Sequence, residues 1–325
     1  MSYRGPGEQP IPRQQEEQPL QQQEFRPTPF HVSNDNNNYG RNQPNQPPSS
    51  WHHTLKNVAV QFDKYTAPIE DLTTTPTVIA VRPFIPGIAR FLIVATFLED
   101  SLRIVTQWSD QVFYLNQWKH YNWVFVVFFL ATVSLSMLIG TIMILARKHV
   151  NYATGLLVGC IVIQSVVYGL FSGSSFLLRN ISVIGGLLIQ FSDSIAQSKT
   201  TFGMLPELTD RNAVHKGYLL LTGRILIVLM FMAFTLKKSW VTVFITIINT
   251  VAFAIGYKTK LASIMLVTIL TFYNLYLNNY WFYSDAQRDF LRYEFFQNLS
   301  IIGGLLLVTN TGAGTLSVDE KKKVY

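Results

Sequence analysis

The sequence predicts an all-α polytopic membrane protein of about eight transmembrane helices, arranged as two parallel four-helix repeats. Three observations lead there. The chain of 325 residues is 49% hydrophobic and only 14% charged, too apolar and too poor in charge for an ordinary soluble domain. Its apolar residues gather into runs that can cross a hydrocarbon core, which takes about 20 mostly apolar residues. One word also occurs twice, since Asn180-Ile-Ser-Val-Ile-Gly-Gly-Leu-Leu-Ile returns as Asn298-Leu-Ser-Ile-Ile-Gly-Gly-Leu-Leu-Leu.

Residues 1 to 50 are rich in Gln, Pro and Asn and hold few large aliphatics, so they cannot bury enough surface to offset the entropy of ordering. They are expected to form a disordered cytosolic tail, followed by a membrane-proximal segment over 51 to 84 that contains His52 and His53. No charged-then-apolar signal peptide precedes them, and insertion is expected to rely on the first membrane helix. Spans are expected at 85 to 106, 122 to 146, 152 to 172, 177 to 194, 217 to 236, 239 to 256, 260 to 279 and 296 to 313. The fourth and eighth are short and rich in Gly, Asn and Ser, as suits helices packed closely inside a bundle.

A second pair of words aligns the first span with the fifth: Arg90-Phe-Leu-Ile-Val-Ala-Thr-Phe and Arg224-Ile-Leu-Ile-Val-Leu-Met-Phe. Residues 85 to 196 and 217 to 313 are therefore read as copies of one four-helix unit, joined by a cytosolic linker over 197 to 216 and followed by a tail over 314 to 325. An even number of helices per copy gives both the same orientation, about an axis near the membrane normal. The competing explanation is chance, because membrane helices draw on few residue types.

The formal charge of +7 does not point to nucleic acid, because the basic residues sit in short clusters between apolar runs. Arg147, Lys148, Lys199, Arg211, Lys216, Lys258 and Lys260 follow the second, fourth and sixth spans and favour cytosolic termini, against which Lys237 and Lys238 vote. The lone cysteine, Cys160, excludes an intramolecular disulfide and Cys-x-x-Cys redox chemistry. No metalloprotease, nucleophile-elbow or phosphate-loop signature occurs, and the six histidines do not cluster at ligand spacing within the spans. No enzymatic activity, cofactor or metal is expected.

Lys322 and Lys323 stand fourth and third from the last residue, the spacing of a dilysine retrieval address read from the cytosol by COPI coat subunits. The same charges would anchor the last helix by the positive-inside rule, and Asp319, Glu320 and Lys321 make the segment polar in any case. Val324 and Tyr325 form a candidate export signal, a terminal apolar pair of the kind coats bind.

Candidate binding residues lie at the far ends of the spans. Glu99, Asp100 and Arg103 close the first span, with Glu99 and Arg103 one helical turn apart and able to pair. They belong to the first copy alone, because Ala233, Phe234 and Lys237 take the matching places. A wet cavity inside the bundle and a plain interfacial position both account for them. Two expected lumenal segments mix aromatics with charge: 108 to 118, with Trp108 and Asp110, and 280 to 294, with Trp281, Tyr283, Arg288 and Asp289. Aromatic belts explain much of this; the alternative is an apolar, charge-rimmed groove for an extended peptide. Arg179 and Asp193 bracket the fourth span, as packing residues. Asn180-Ile-Ser182 and Asn298-Leu-Ser300 fit the glycosylation pattern but lie within predicted helices, and are read as helix packing.

The words Arg90-Phe-Leu-Ile-Val-Ala-Thr-Phe-Leu-Glu-Asp-Ser-Leu-Arg-Ile, Gln107-Trp-Ser-Asp-Gln, Asn151-Tyr-Ala-Thr-Gly and Phe202-Gly-Met-Leu-Pro-Glu-Leu, with the Asn298 word and the dilysine tail, closely resemble the Surfeit locus protein four family from about residue 55 onward. The resemblance implies a cargo receptor of the endoplasmic reticulum membrane that binds soluble secretory proteins in the lumen, enters COPII vesicles and returns from the Golgi through COPI at Lys322 and Lys323. It implies short hydrophobic cargo signals, and so makes the two aromatic segments and the Glu99-Asp100 pair candidates for contact. Homo-oligomerisation stays open. The main rival is a transporter or lipid-handling protein, since duplicated bundles commonly bind small molecules at the repeat interface.

Overall fold

A computed structural model describes residues 82–169, 174–201, 206–235 and 240–320, with the single position 61. The expected tail over 1 to 50, nearly all of 51 to 84, and the signal residues Lys322, Lys323, Val324 and Tyr325 lie outside the described residues. Eight long helices are present: α1 Ile85–Thr106, α2 Trp123–Leu145, α3 Val150–Val167, α4 Ser174–Thr201, α5 Pro206–Thr235, α6 Trp240–Ile255, α7 Thr259–Leu277 and α8 Asp285–Thr311. Each covers one expected span, and the described residues are an all-α polytopic membrane protein. Their ends follow local chemistry. Pro86 opens α1, Asn122 caps α2 by accepting from the Val124 N–H at 2.9 Å, and Gly312 at φ 78 ends α8.

Three segments outside the expected spans are largely helical in the structure. Over 280 to 294 a 3-10 turn at Tyr280–Phe282 leads into α8, which starts at Asp285. The segment over 108 to 118 is likewise helical, Trp108–Phe113 followed by a π-helical turn at Tyr114–Trp118. The expected linker is mostly the end of α4 and the start of α5.

By length and composition, four described segments suit a membrane crossing: α2, α3, Val214–Phe231 within α5, and Thr259–Phe282, which is α7 with the turn after it. The shorter α6 is apolar too. Charge has a place in α1, α4 and α8 because they sit at the centre. Each helix packs on the next, α8 closes the series against α1, and α4 meets α8 across the middle. Ionisable groups on central helices reach partners on other helices instead of lipid.

The two copies of the repeated word make matching contacts. A Cβ on Gly185 would lie 2.8 Å from Gly223 O and 3.3 Å from Ile227 N of α5; on Gly303 it would lie 2.6 Å from Ala89 O and 2.7 Å from Ile93 N of α1. These are the same places in the words that align α1 with α5. Ser182 donates to Leu226 O at 2.8 Å and Ser300 to Ile93 O at 2.7 Å. Asn180 donates to Ser165 of α3 at 3.4 Å, and Asn298 to Asn274 of α7 at 2.9 Å. Between α2 and α3 the left-handed residues are Arg147 and His149, and between α6 and α7 they are Gly256 and Lys258, two apart in both turns. Gly186 and Gly304 then meet at the centre, where a Cβ on Gly304 would stand 3.0 Å from Gly186 Cα. Small residues at these crossings let the backbones touch, which is how helices hold together where the hydrophobic effect between them is weak.

Candidate functional site

The last turns of α1 meet the first turns of α8, and the charges that end α1, for which a cavity and an interface were both open, are packed between helices. Ser101 and Ser134 hydroxyls lie 3.0 Å apart and fasten α1 to α2. On the next face Glu99, only 3% exposed, places Oε1 3.0 Å from Arg292 Nε on α8. The expected pairing of Glu99 with Arg103 is the weaker contact at 3.8 Å, because Arg103 donates instead to Asp100 Oδ1 at 2.7 Å. The Arg103 guanidinium also stands over the Tyr293 ring, 5.8 Å from its centroid. Gln107 donates to Asp289 Oδ2 at 3.1 Å, a further tie between the end of α1 and α8.

Arg179 proves to be more than a span bracket. It pairs with Glu294 Oε1 at 3.0 Å and donates to Asn298 Oδ1 at 3.0 Å, joining α4 to α8. Beside it Asn180 Oδ1 accepts from Gln297 Nε2 at 2.6 Å and from the Tyr293 hydroxyl at 3.2 Å. Asn180 and Asn298 are buried and hydrogen-bonded, in accord with packing roles.

These residues surround a cavity of about 260 Å³ bounded by α1, α2, α3, α4 and α8. Phe97, Met137, Ile161, Phe176, Val183 and Phe290 give it apolar walls. Asp100, Arg103 and Asp289 add charge, and Gln164, Asn180, Tyr293 and Gln297 add neutral hydrogen-bonding groups. Such a chamber suits an apolar chain segment that carries a few polar atoms.

Of the predicted contact residues, Asp100, Arg103 and Asp289 line this cavity, and Glu99 sits behind it in the pair with Arg292. Trp108 is half-buried against the core and faces a separate shallow recess that it shares with Val112, Phe113 and Trp123. Asp110 and Arg288 are exposed away from the cavity. Trp281 and Tyr283 also lie outside it, half exposed, with the Trp281 ring 6.0 Å from that of Phe295. Sequence reasoning missed Asn180 and Gln297 as lining residues, and Tyr293 fell within the 280 to 294 segment without being singled out. A signal was present: once 285 to 297 is read as helix, Asp289, Tyr293 and Gln297 fall at successive intervals of four on one face.

The fold and the cavity together define a class: polytopic α-helical membrane proteins whose helices line a half-open, largely apolar cavity bearing a few charges. The SURF4 family profile matches residues 63–325, and the chain belongs to that family. It is 67% identical over 271 residues to the ER-derived vesicles protein ERV29 of Saccharomyces cerevisiae, covering 83% of this chain and 87% of the relative. It is 39% identical over 253 residues to a Surfeit locus protein 4 homolog of Schizosaccharomyces pombe, covering 75% and 83%, and 37% identical over 272 residues to one of Drosophila melanogaster, covering 81% and 98%. No solved structure matches the chain.

Proposed function

We propose that this chain is a cargo receptor of the early secretory pathway. It resides in the endoplasmic reticulum membrane with both termini cytosolic, binds soluble secretory proteins from the lumen and carries them into COPII vesicles. The observation that carries the reading is the mixed chamber between α1, α3, α4 and α8, in a chain 67% identical to a protein of ER-derived vesicles. Its apolar walls take short hydrophobic stretches of an extended cargo peptide, and Asp100, Arg103 and Asp289 set which charged neighbours are tolerated. Exchange with lumenal cargo requires modest affinity, which a chamber of about 260 Å³ provides by engaging a few side chains and not a whole surface.

Phe290 lines the chamber yet is 46% exposed, so Phe290→Glu probes binding at little cost to folding. Cargo co-purification is expected to fall about tenfold, the equivalent of losing one buried aromatic contact; unchanged recovery with normal localisation would place cargo elsewhere. Deleting the gene is expected to leave a subset of soluble secretory proteins in the endoplasmic reticulum, measured by proteomics of the purified organelle. A changed lipid composition with no selective retention would favour the lipid-handling reading.

Return from the Golgi through COPI is assigned to Lys322 and Lys323, on their position in the sequence. Replacing both with serine is expected to move the protein to post-ER compartments, and imaging that still finds it in the endoplasmic reticulum would reject the assignment.

A further inference from the structure

The chain beyond α8 turns back on the bundle. Gly312 and Gly314, at φ 78 and 80, redirect it, and residues 312–320 lie against the middle of α5, around Gly217 to Arg224, and the turn between α6 and α7. A Cβ on Gly217 would stand 2.5 Å from Thr315 Oγ1, so this segment fills space that glycine leaves on α5. Arg224, wholly buried on α5, donates to Leu316 O and to Phe253 O, both at 3.4 Å. Ser317 is buried against Gly256, where an added Cβ would meet Ser317 Cβ at 2.6 Å.

Asp319 completes the attachment with both its backbone and its side chain. Its N–H donates to Gly256 O at 2.9 Å. Oδ1 accepts from the Lys258 N–H at 2.7 Å, and Oδ2 accepts from the Thr259 N–H at 2.8 Å and the Thr259 hydroxyl at 2.7 Å. Lys258, the residue that opens α7, has no capping side-chain bond of its own. A carboxylate 60 residues away supplies the cap, with charge suited to a helix amino terminus. The sequence marked Asp319 as merely polar, but it is a staple.

Lys321 follows Glu320 directly, and at about 3.6 Å per extended residue the covalent chain keeps Lys323 within roughly 11 Å of Glu320. We propose that the Asp319 staple positions the retrieval signal. It fixes residues 312–320 to α5 and to the α6–α7 turn, so the chain that carries Lys322 and Lys323 leaves the bundle from one fixed point toward the coat subunit that would read them. This rests on the retrieval reading given above. A tail already fixed up to Glu320 has less conformational freedom left to lose, so the same signal binds more tightly.

The test compares full-length variants in cells by the fraction found beyond the endoplasmic reticulum. Asp319→Ala is expected to raise that fraction about fivefold, the change in docked population that losing one helix cap produces. Asp319→Asn, which keeps one acceptor oxygen, is expected to fall between. A short flexible Gly-Ser insertion between Glu320 and Lys321 leaves the staple, the fold and the last five residues intact and is expected to raise the fraction comparably. A purely structural role for Asp319 would leave the insertion silent, and that result overturns the proposal even if Asp319→Ala misfolds. Tighter residence in Asp319→Ala would mean that the staple shields the signal, and overturns it too. If the Lys322 and Lys323 serine variant stays in the endoplasmic reticulum, the retrieval reading itself has failed and the proposal falls with it.

Discussion

Replacing Gly303 with valine is expected to cost the purified protein about 3 kcal/mol of stability or to prevent its recovery in folded form, at the upper end of overpacking effects. The neighbours of an added Cβ are Ala89 O at 2.6 Å and Ile93 N at 2.7 Å, both backbone atoms of α1. Neither can rotate away, so α8 must shift from α1 and take the ion pairs of the chamber with it. Gly155→Ala is the control: nothing lies within 4 Å of its added Cβ, and helix propensity favours the change by up to about 1 kcal/mol. Thermal unfolding in detergent or nanodiscs separates the two. Equal stability of Gly303→Val and the parent would show that α1 and α8 do not touch here.

Glu99→Gln is expected to cost about 1 kcal/mol, well below the loss from breaking a fully buried ion pair, because burying the carboxylate offsets much of its attraction and Arg292 keeps 30% of its side chain exposed. The substitution preserves shape and removes only the charge, leaving Arg292 facing a neutral amide between α1 and α8. Asp100 still neutralises Arg103 at 2.7 Å, so the loss is confined to the α1–α8 contact. The unfolding midpoint should fall, and cargo binding should weaken only as far as the chamber wall loosens. A variant that unfolds with the parent's midpoint would show that Glu99 contributes no net pairing, as happens when desolvation cancels attraction.

The helices were largely legible because lipid enforces a simple pattern: apolar runs of fixed length, small residues at crossings and charge at the ends. Even the Gly185-Gly186 and Gly303-Gly304 pairs announced their role through repetition. The chamber was legible in part. Asp100, Arg103 and Asp289 stood out as charges beside apolar runs and do line it. Trp108, Trp281 and Tyr283 stood out as aromatics beside apolar runs and do not, since an aromatic residue near a span end suits a membrane interface as well as a cavity wall. Asn180 and Gln297 drew no notice as lining residues, because a neutral amide within a helix carries no sign of which neighbour it faces.

By itself the sequence determined the class, the places of the eight helices, the internal repeat and the family, all properties of local composition and of word order along the chain. Only the tertiary structure decided the partners. Glu99 meets Arg292 and not chiefly Arg103, Arg179 meets Glu294, and Asp319 caps α7. The physical reason is distance along the chain: sequence spacing fixes which residues share a helical face, but contacts sixty or more residues apart depend on which helices cross. Those crossings are set by the glycine and serine contacts between α1 and α8 and between α4 and α5.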